Sequence, residues 1–117
     1  MYLARDFYFE AAHHLDNYDG KCKNVHGHSY KLQVTISGQP RRNGMIIDFA
    51  ELKSIVIDQV IKPFDHSDIN LLIKQPTVEN LCVFIWEKLH DKLPLYEVKI
   101  WETRDCSAFV RAYNENK

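Results

Sequence analysis

Strict alternation between apolar and polar side chains near residue 30 constrains the fold more than any other feature of the sequence. Tyr30, Leu32, Val34 and Ile36 alternate with Lys31, Gln33 and Thr35. A period of two residues predicts a strand with one buried face. Extended backward, the pattern gives His26 and His28 the parity of the apolar side chains, so both imidazoles are expected on that face.

A second alternating run predicts another strand over Tyr2 to Leu15. Its apolar residues Phe7, Phe9 and Ala11 occupy odd positions, and Asp6 and Glu10 occupy even ones. This parity places His13 on the apolar face of the strand.

The middle of the chain contains clear turn and helix signals. Asn43-Gly44 is a favoured hairpin dipeptide, after which a short strand is expected over Met45 to Ile47. Asp48 followed by Glu51 predicts the start of a helix spanning about residues 48–62, which Pro63 is expected to end.

The second half of the chain predicts one more helix and two more strands. Thr77 is expected to cap a helix that ends near Pro94. Alternation around Val98 and Ile100 predicts a third strand, and residues 108–113 predict a fourth. The sum is an α+β fold with a four-stranded, mostly antiparallel sheet and two helices on one face. The exposed sheet edges favour oligomerisation through the sheet.

Size and composition restrict the class of protein. The 117 residues predict a single domain over 1–117, and 45% hydrophobic with 26% charged residues is typical of a globular chain. A net charge of −1, with Arg41-Arg42 as the densest basic cluster, argues against a nucleic-acid partner. No apolar run is long enough to span a membrane, and no export signal is visible. Three unevenly spaced cysteines fit a reducing compartment, so a cytoplasmic location is expected.

Three histidines form the most specific constellation in the sequence. His13, His26 and His28 converge by parity, and three histidines with an open fourth position form the ligand set of a catalytic zinc. Each histidine alone is also compatible with an ordinary hydrogen-bonded role. Cys22 lies four residues before His26 and is the candidate base or nucleophile. It is also compatible with an inert loop thiol or with a fourth ligand that closes a structural site.

Further acidic and imidazole groups are weaker candidates. Asp65-His66 follows the first predicted helix, where the carboxylate could orient the ring for proton transfer or form a solvated pair. Glu102 shares the parity of the third strand's apolar residues and would be a buried ligand-binding carboxylate, unless the strand has ended by Trp101 and Glu102 is exposed. Cys82 lies in an apolar helix stripe and is expected in the core, and Cys106 has no partner pattern.

Six ordered motifs extend along nearly the whole chain: FEAAHH from Phe9, CKNVHGHSY from Cys22, GMIIDFAELK from Gly44, DH at Asp65, PTVEN from Pro76 and WET from Trp101. Together they resemble the 6-pyruvoyl-tetrahydropterin synthase superfamily. The resemblance implies the tunnelling fold, in which sheets of several subunits join into a barrel. It also implies a homo-oligomer, a hexamer of two trimers, with active sites between subunits.

The short spacing between Cys22 and His26 resembles the bacterial 6-carboxy-tetrahydropterin synthases of queuosine biosynthesis. That resemblance implies a carbon–carbon lyase that converts 7,8-dihydroneopterin triphosphate to 6-carboxy-5,6,7,8-tetrahydropterin, acetaldehyde and triphosphate. The sibling pyruvoyl synthase of the biopterin route and a non-catalytic zinc-stabilised binding module are the alternatives.

The resemblance also implies roles for individual residues. His13, His26 and His28 would bind Zn²⁺, and Cys22 would be the proton acceptor. Asp65 and His66 would form the catalytic relay, and Glu102 would anchor the pterin ring. The sequence departs from the family pattern after Glu102, so the triphosphate-binding residues stay unassigned.

Overall fold

The computed structural model describes residues 1–15 and 25–112, which form five strands and a set of helical segments. The strands are β1 (Tyr2–His13), β2 (His26–Ser37), β3 (Ser67–Asp68), β4 (Leu95–Trp101) and β5 (Ser107–Arg111). The helical segments are α1 (Phe49–Val56), a π-helical turn (Ile57–Ile61), α2 (Lys62–Phe64), a 3-10 turn (Ile69–Leu71) and α3 (Val78–Leu89).

The described strands form one sheet in the order β3-β1-β2-β4-β5. β1 and β2 pair antiparallel without interruption from Tyr2 opposite Ser37 to His13 opposite His26. β4 and β5 extend the antiparallel sheet on one side, and β3 pairs in parallel with β1 on the other. The predicted α+β class is confirmed. The prediction of four strands is wrong, because β3 has only two residues and is too short for periodicity to reveal.

The first helix is longer than predicted. α1, the π-helical turn and α2 follow one another without a break from Phe49 to Phe64, so Pro63 lies inside the last segment. A proline normally obstructs the hydrogen bond to the residue four positions earlier. The wider π-helical turn directly before Pro63 relaxes that bonding pattern. Asp48 caps the helix as predicted, its carboxylate accepting from the Ala50 N–H at 2.8 Å.

Two other boundaries also differ from the sequence prediction. Met45 to Ile47 do not form a strand, because the turn at Gly44 (φ 83°) leads almost directly to the Asp48 cap. α3 starts as predicted with Thr77 accepting from the Asn80 N–H at 3.1 Å, but it ends at Leu89, well before Pro94.

The core lies between one face of the sheet and the helices. Its sheet side consists of the same-parity residues of the two long strands, including Phe7, Phe9, Leu32 and Val34. The helices add Leu52, Val56, Leu81 and Ile85. None of the helices within 1–15 and 25–112 is long and apolar enough to cross a membrane. The apolar parity of β1 and β2 continues to the strand ends that carry the histidines.

Candidate metal centre

His13, His26 and His28, the three-histidine cluster, lie where β1 and β2 meet at one end of the sheet. His13 is the register partner of His26, and Ala11 is the partner of His28. Their potential ligand atoms lie within 4.8 Å of one another, and the ring centroids are 4.6 to 4.9 Å apart. The sheet register therefore brings together the three imidazoles that strand parity predicted.

The His13 ring is fixed by an outer hydrogen bond. Its Nδ1 lies 2.8 Å from the Pro76 carbonyl oxygen, and the side chain is fully buried. Because a carbonyl can only accept, Nδ1 carries the proton and donates it, which leaves the lone pair on Nε2. Metal-bound histidines have this arrangement, with the other ring nitrogen held by a carbonyl or carboxylate.

Two ring nitrogens in the cluster have no hydrogen-bond partner among the described residues. They are Nε2 of His13 and Nε2 of His28, and both are shielded from solvent. A buried polar atom without a partner costs free energy, and such an atom indicates an absent ion or water. The donor set therefore fits a metal ion.

Burial also keeps His28 in the form that binds metals. Desolvation lowers the pKa of His28 below its usual value of 6.5, outweighing the opposing effect of Glu102, and His13 and His26 lower it further. The ring is therefore neutral near pH 7, with a lone pair available for coordination.

Glu102 lies beside the cluster. Its Oε2 is 3.9 Å from His13 Nε2 and its Oε1 is 3.9 Å from His28 Nε2, and the side chain is 21% exposed. β4 ends at Trp101, and the Glu102 N–H donates to the Cys106 carbonyl at 3.0 Å. The strand thus ends by Trp101, as one alternative held, but Glu102 is only 21% exposed, and its carboxylate lies beside the histidines on the face that strand parity predicted.

Asp65 and His66 form a contact pair that β1 holds in place. Asp65 Oδ2 lies 3.1 Å from His66 Nδ1, and Asp65 Oδ1 accepts from the Glu10 N–H at 2.9 Å. That backbone hydrogen bond is the main reason why the pKa of Asp65 lies below its usual value. The His66 N–H donates to the Glu10 carbonyl at 2.6 Å, although His66 has a positive φ of 58°. His66 itself is 80% exposed.

A cleft of about 500 Å³ connects the cluster with this pair. Its lining includes Glu10, Gly27, His28, Ser29, His66 and Asp68. One histidine of the cluster and one of the pair therefore line a single cleft that is large enough for a small molecule. Cys22, the predicted base, lies outside the described residues.

Sequence reasoning missed three contributors to this site. The Pro76 carbonyl is a backbone group and leaves no signal in the sequence. β3 is too short to detect, and it brings the residues after His66 alongside β1. Glu10 was detectable only as a charged residue of the polar parity, which is normal for a strand with one solvated face.

The two described cysteines do not take part in the site. Cys82 is buried, and its thiol donates to the Val98 carbonyl at 3.3 Å, which confirms the predicted core position. Burial raises the pKa of the Cys82 thiol to about 11. Cys106 is exposed.

Comparison with known proteins agrees with this geometry. The model of the family described as 6-pyruvoyl tetrahydropterin synthase matches residues 2–113. A 6-carboxy-5,6,7,8-tetrahydropterin synthase of Haemophilus influenzae is 38% identical, covering 86% of this chain and 92% of its own length. A putative 6-carboxy-5,6,7,8-tetrahydropterin synthase of Archaeoglobus fulgidus is 42% identical, covering 88% of this chain and 89% of its own length.

A solved structure supports the same assignment. The 6-pyruvoyl tetrahydropterin synthase of Caenorhabditis elegans superposes with a TM-score of 0.85 at 28% identity, covering 97% of this chain and 96% of that one. The fold is therefore the tunnelling fold that the sequence motifs predicted, with a fifth short strand. From the family match and these relatives, the chain belongs to the 6-pyruvoyl tetrahydropterin synthase family.

Proposed function

We propose that this chain is a zinc-dependent 6-carboxy-5,6,7,8-tetrahydropterin synthase of queuosine biosynthesis. It would convert 7,8-dihydroneopterin triphosphate and one water to 6-carboxy-5,6,7,8-tetrahydropterin, acetaldehyde and triphosphate. The observation that carries this proposal is the three-histidine cluster, in which Nε2 of His13 and of His28 lack a hydrogen-bond partner among the described residues and His28 lines the same cleft as His66. The bacterial and archaeal relatives with that name support the choice of product.

The proposed cofactor is Zn²⁺, held by His13, His26 and His28. Three neutral imidazoles with an open position are the ligand set of catalytic zinc sites, whereas structural sites usually have four protein ligands. Bound zinc would act as a Lewis acid that polarises oxygen atoms of the substrate side chain. Pro76 contributes by holding His13 in the tautomer that presents Nε2.

Proton transfer is proposed for Cys22, Asp65 and His66. Asp65 is held by the Glu10 N–H and accepts from His66 Nδ1, so Nε2 of His66 is the atom that exchanges protons with the cleft. Cys22 would accept a proton from the substrate side chain, a role that favours a thiolate.

Glu102 is proposed to anchor the pterin ring. A carboxylate accepts hydrogen bonds from adjacent ring N–H and amino groups, and such charge-assisted bonds are strong. Its position 3.9 Å from two cluster nitrogens would hold a bound ring close to the metal.

The proposed assembly is a homo-oligomer of single-domain chains in the cytoplasm, a hexamer of two trimers with active sites between subunits. Two features of the described sheet support joining through its edges. β5 ends the sheet on one side with an exposed Phe109, and the two-residue β3 covers only a small part of β1 on the other. Unpaired edges of this kind are usually covered or paired with another chain.

Mass spectrometry of the products formed by zinc-loaded protein from 7,8-dihydroneopterin triphosphate, together with an acetaldehyde assay, tests the proposal. The expected products are 6-carboxy-5,6,7,8-tetrahydropterin and acetaldehyde in equal amounts. A pyruvoyl-tetrahydropterin product would assign the chain to the sibling activity. Absence of turnover with zinc fully bound would indicate a pterin-binding module.

A Cys22→Ala variant distinguishes two interpretations of the zinc site, a catalytic one and a structural one. Turnover should be abolished while zinc content and thermal stability stay nearly unchanged, because the thiol is proposed to lie outside the metal's ligand set. Loss of zinc from this variant would show instead that Cys22 is a fourth ligand. Cys106→Ala is the matched control, because that exposed thiol has no assigned role.

A further inference from the structure

Glu10 lies on the solvent-facing side of β1 and is hydrogen-bonded across the strand pair to Ser29. The two residues are register partners, and the Ser29 hydroxyl lies 2.8 Å and 2.6 Å from the two carboxylate oxygens. A serine hydroxyl has one proton to donate, whereas a carboxylate has about four acceptor positions. Ser29 therefore orients the Glu10 carboxylate and leaves most of its acceptor capacity unused.

Asp6 lies on the same face of β1 and provides a direct contrast. Its carboxylate is 3.7 Å from the Lys31 ammonium group and accepts from the Gln33 side-chain amide at 3.0 Å. Within residues 1–15 and 25–112, no cationic side chain forms an ion pair with Glu10. A described cation thus compensates the negative charge of Asp6, whereas none of the described cations pairs with Glu10.

The position of Glu10 relative to both parts of the site is fixed. It lines the same cleft as His28 and His66. Its own N–H donates to Asp65 and its carbonyl accepts from the His66 N–H. The backbone of Glu10 is therefore hydrogen-bonded to both members of the proposed relay. The side chain of Glu10 therefore extends from a backbone position that hydrogen bonds hold on both its N–H and its carbonyl.

We propose that Glu10 accepts hydrogen bonds from the hydroxyl groups of the substrate side chain and is a specificity-determining residue. This inference rests on the proposed function and deepens it. Hydroxyl groups are donors that match an oriented, uncompensated carboxylate. Phosphate groups would be repelled by the same charge, so Glu10 would direct the triphosphate away from this wall of the cleft. Ser29 acts through Glu10 as a positioning residue.

The test compares binding of two pterins to zinc-loaded wild-type protein and to Glu10→Gln, followed by quenching of pterin fluorescence. Neopterin has a hydroxylated side chain, and pterin has none. Glu10→Gln should weaken neopterin binding about tenfold, the loss expected for one hydrogen bond to a charged group, and leave pterin binding unchanged. The glutamine keeps the shape of the side chain and an acceptor for Ser29, and zinc content and melting temperature verify that the variant is intact.

Asp6→Asn is the matched control, because it removes a carboxylate from the same face of the same strand outside the cleft lining. It should bind both pterins like the wild type. Equal affinities in Glu10→Gln and Asp6→Asn, or an equal loss for both pterins, would overturn the inference while the proposed function stands. If wild-type protein binds neither pterin and turns over no 7,8-dihydroneopterin triphosphate, the proposed function fails and the inference fails with it.

Discussion

The middle and one end of the β1–β2 ladder use the same face of the sheet for different purposes. In the middle of the ladder that face carries Phe7, Leu32 and Val34, which are at most 6% exposed and belong to the core. At its end the same parity carries the three-histidine cluster. The strand pairing is continuous between the two regions, so the histidines and the core side chains extend from the same regular strand backbone.

The energetics of the two regions differ although their geometry does not. Burying an apolar side chain stabilises the fold by about 1.5–3 kcal/mol. Burying a ring nitrogen without a partner costs free energy, as it does at His13 and His28. The histidine end is therefore stabilised fully only when a ligand occupies it, whereas the middle is stable by itself. Variants at matched positions in the two regions should separate metal binding from folding.

Substitution His26→Ala should have the largest effect, and the effect should fall on metal binding. A four-ligand zinc site contributes about 10–16 kcal/mol, so loss of one ligand should cost about 3–4 kcal/mol, or a few hundred-fold in affinity. Competition with a chromogenic chelator measures this loss, and circular dichroism monitors the fold. An unchanged affinity for zinc would remove His26 from the ligand set.

Leu32→Ala should lower the stability of the fold and leave metal affinity unchanged. Leu32 is fully buried on the same strand, and large-to-small substitutions at such positions cost about 2–5 kcal/mol of unfolding free energy. Metal affinity measured below the unfolding transition should stay within about twofold, because no ligand or outer hydrogen bond is removed. A large loss of affinity would mean that the two regions are energetically coupled rather than independent.

The positions of the core residues and of the histidines on β1 and β2 were predictable from the sequence, because both sets follow the same two-residue periodicity. Parity alone placed His13, His26 and His28 together, and the described strands confirm it. The sequence predictions that were wrong concern segments whose structure is not decided by the local sequence pattern. The π-helical turn carries the first helix past Pro63, and the two-residue β3 adds a fifth strand beside β1. Both depend on tertiary packing and on hydrogen bonds between distant residues, which periodicity does not record.

Outer contacts of the cluster also have no sequence signal, and Tyr30→Phe measures one of them. The Tyr30 hydroxyl lies 3.4 Å from His13 Nδ1, whereas the Pro76 carbonyl lies at 2.8 Å and is the main acceptor. We therefore expect zinc affinity to fall by less than about tenfold, the low end for outer-shell changes. A loss as large as that of His26→Ala would mean that Tyr30, rather than Pro76, orients the ring.

The smallest effect is expected from Asp65→Asn at the rim of the cleft. It is a change in how the free energy of unfolding depends on pH. The Glu10 N–H lowers the pKa of Asp65 below its usual 3.8, so the carboxylate stabilises the folded state above the unfolded-state pKa. That contribution is lost as pH falls through the folded-state pKa. The stability difference between wild type and Asp65→Asn should thus be constant from about pH 7 to 5 and shrink toward about pH 3.

Urea unfolding of both proteins at each pH measures this difference, and Asp58→Asn is the control. Asp58 is an exposed helix residue 3.9 Å from Lys62, and its pair is open to solvent on both sides. Such exposed pairs contribute little because water and salt screen them. The control should therefore show a smaller pH-dependent difference than Asp65→Asn. Equal profiles for the two variants would show that the backbone hydrogen bond from Glu10 does not distinguish the Asp65 carboxylate from an ordinary surface charge.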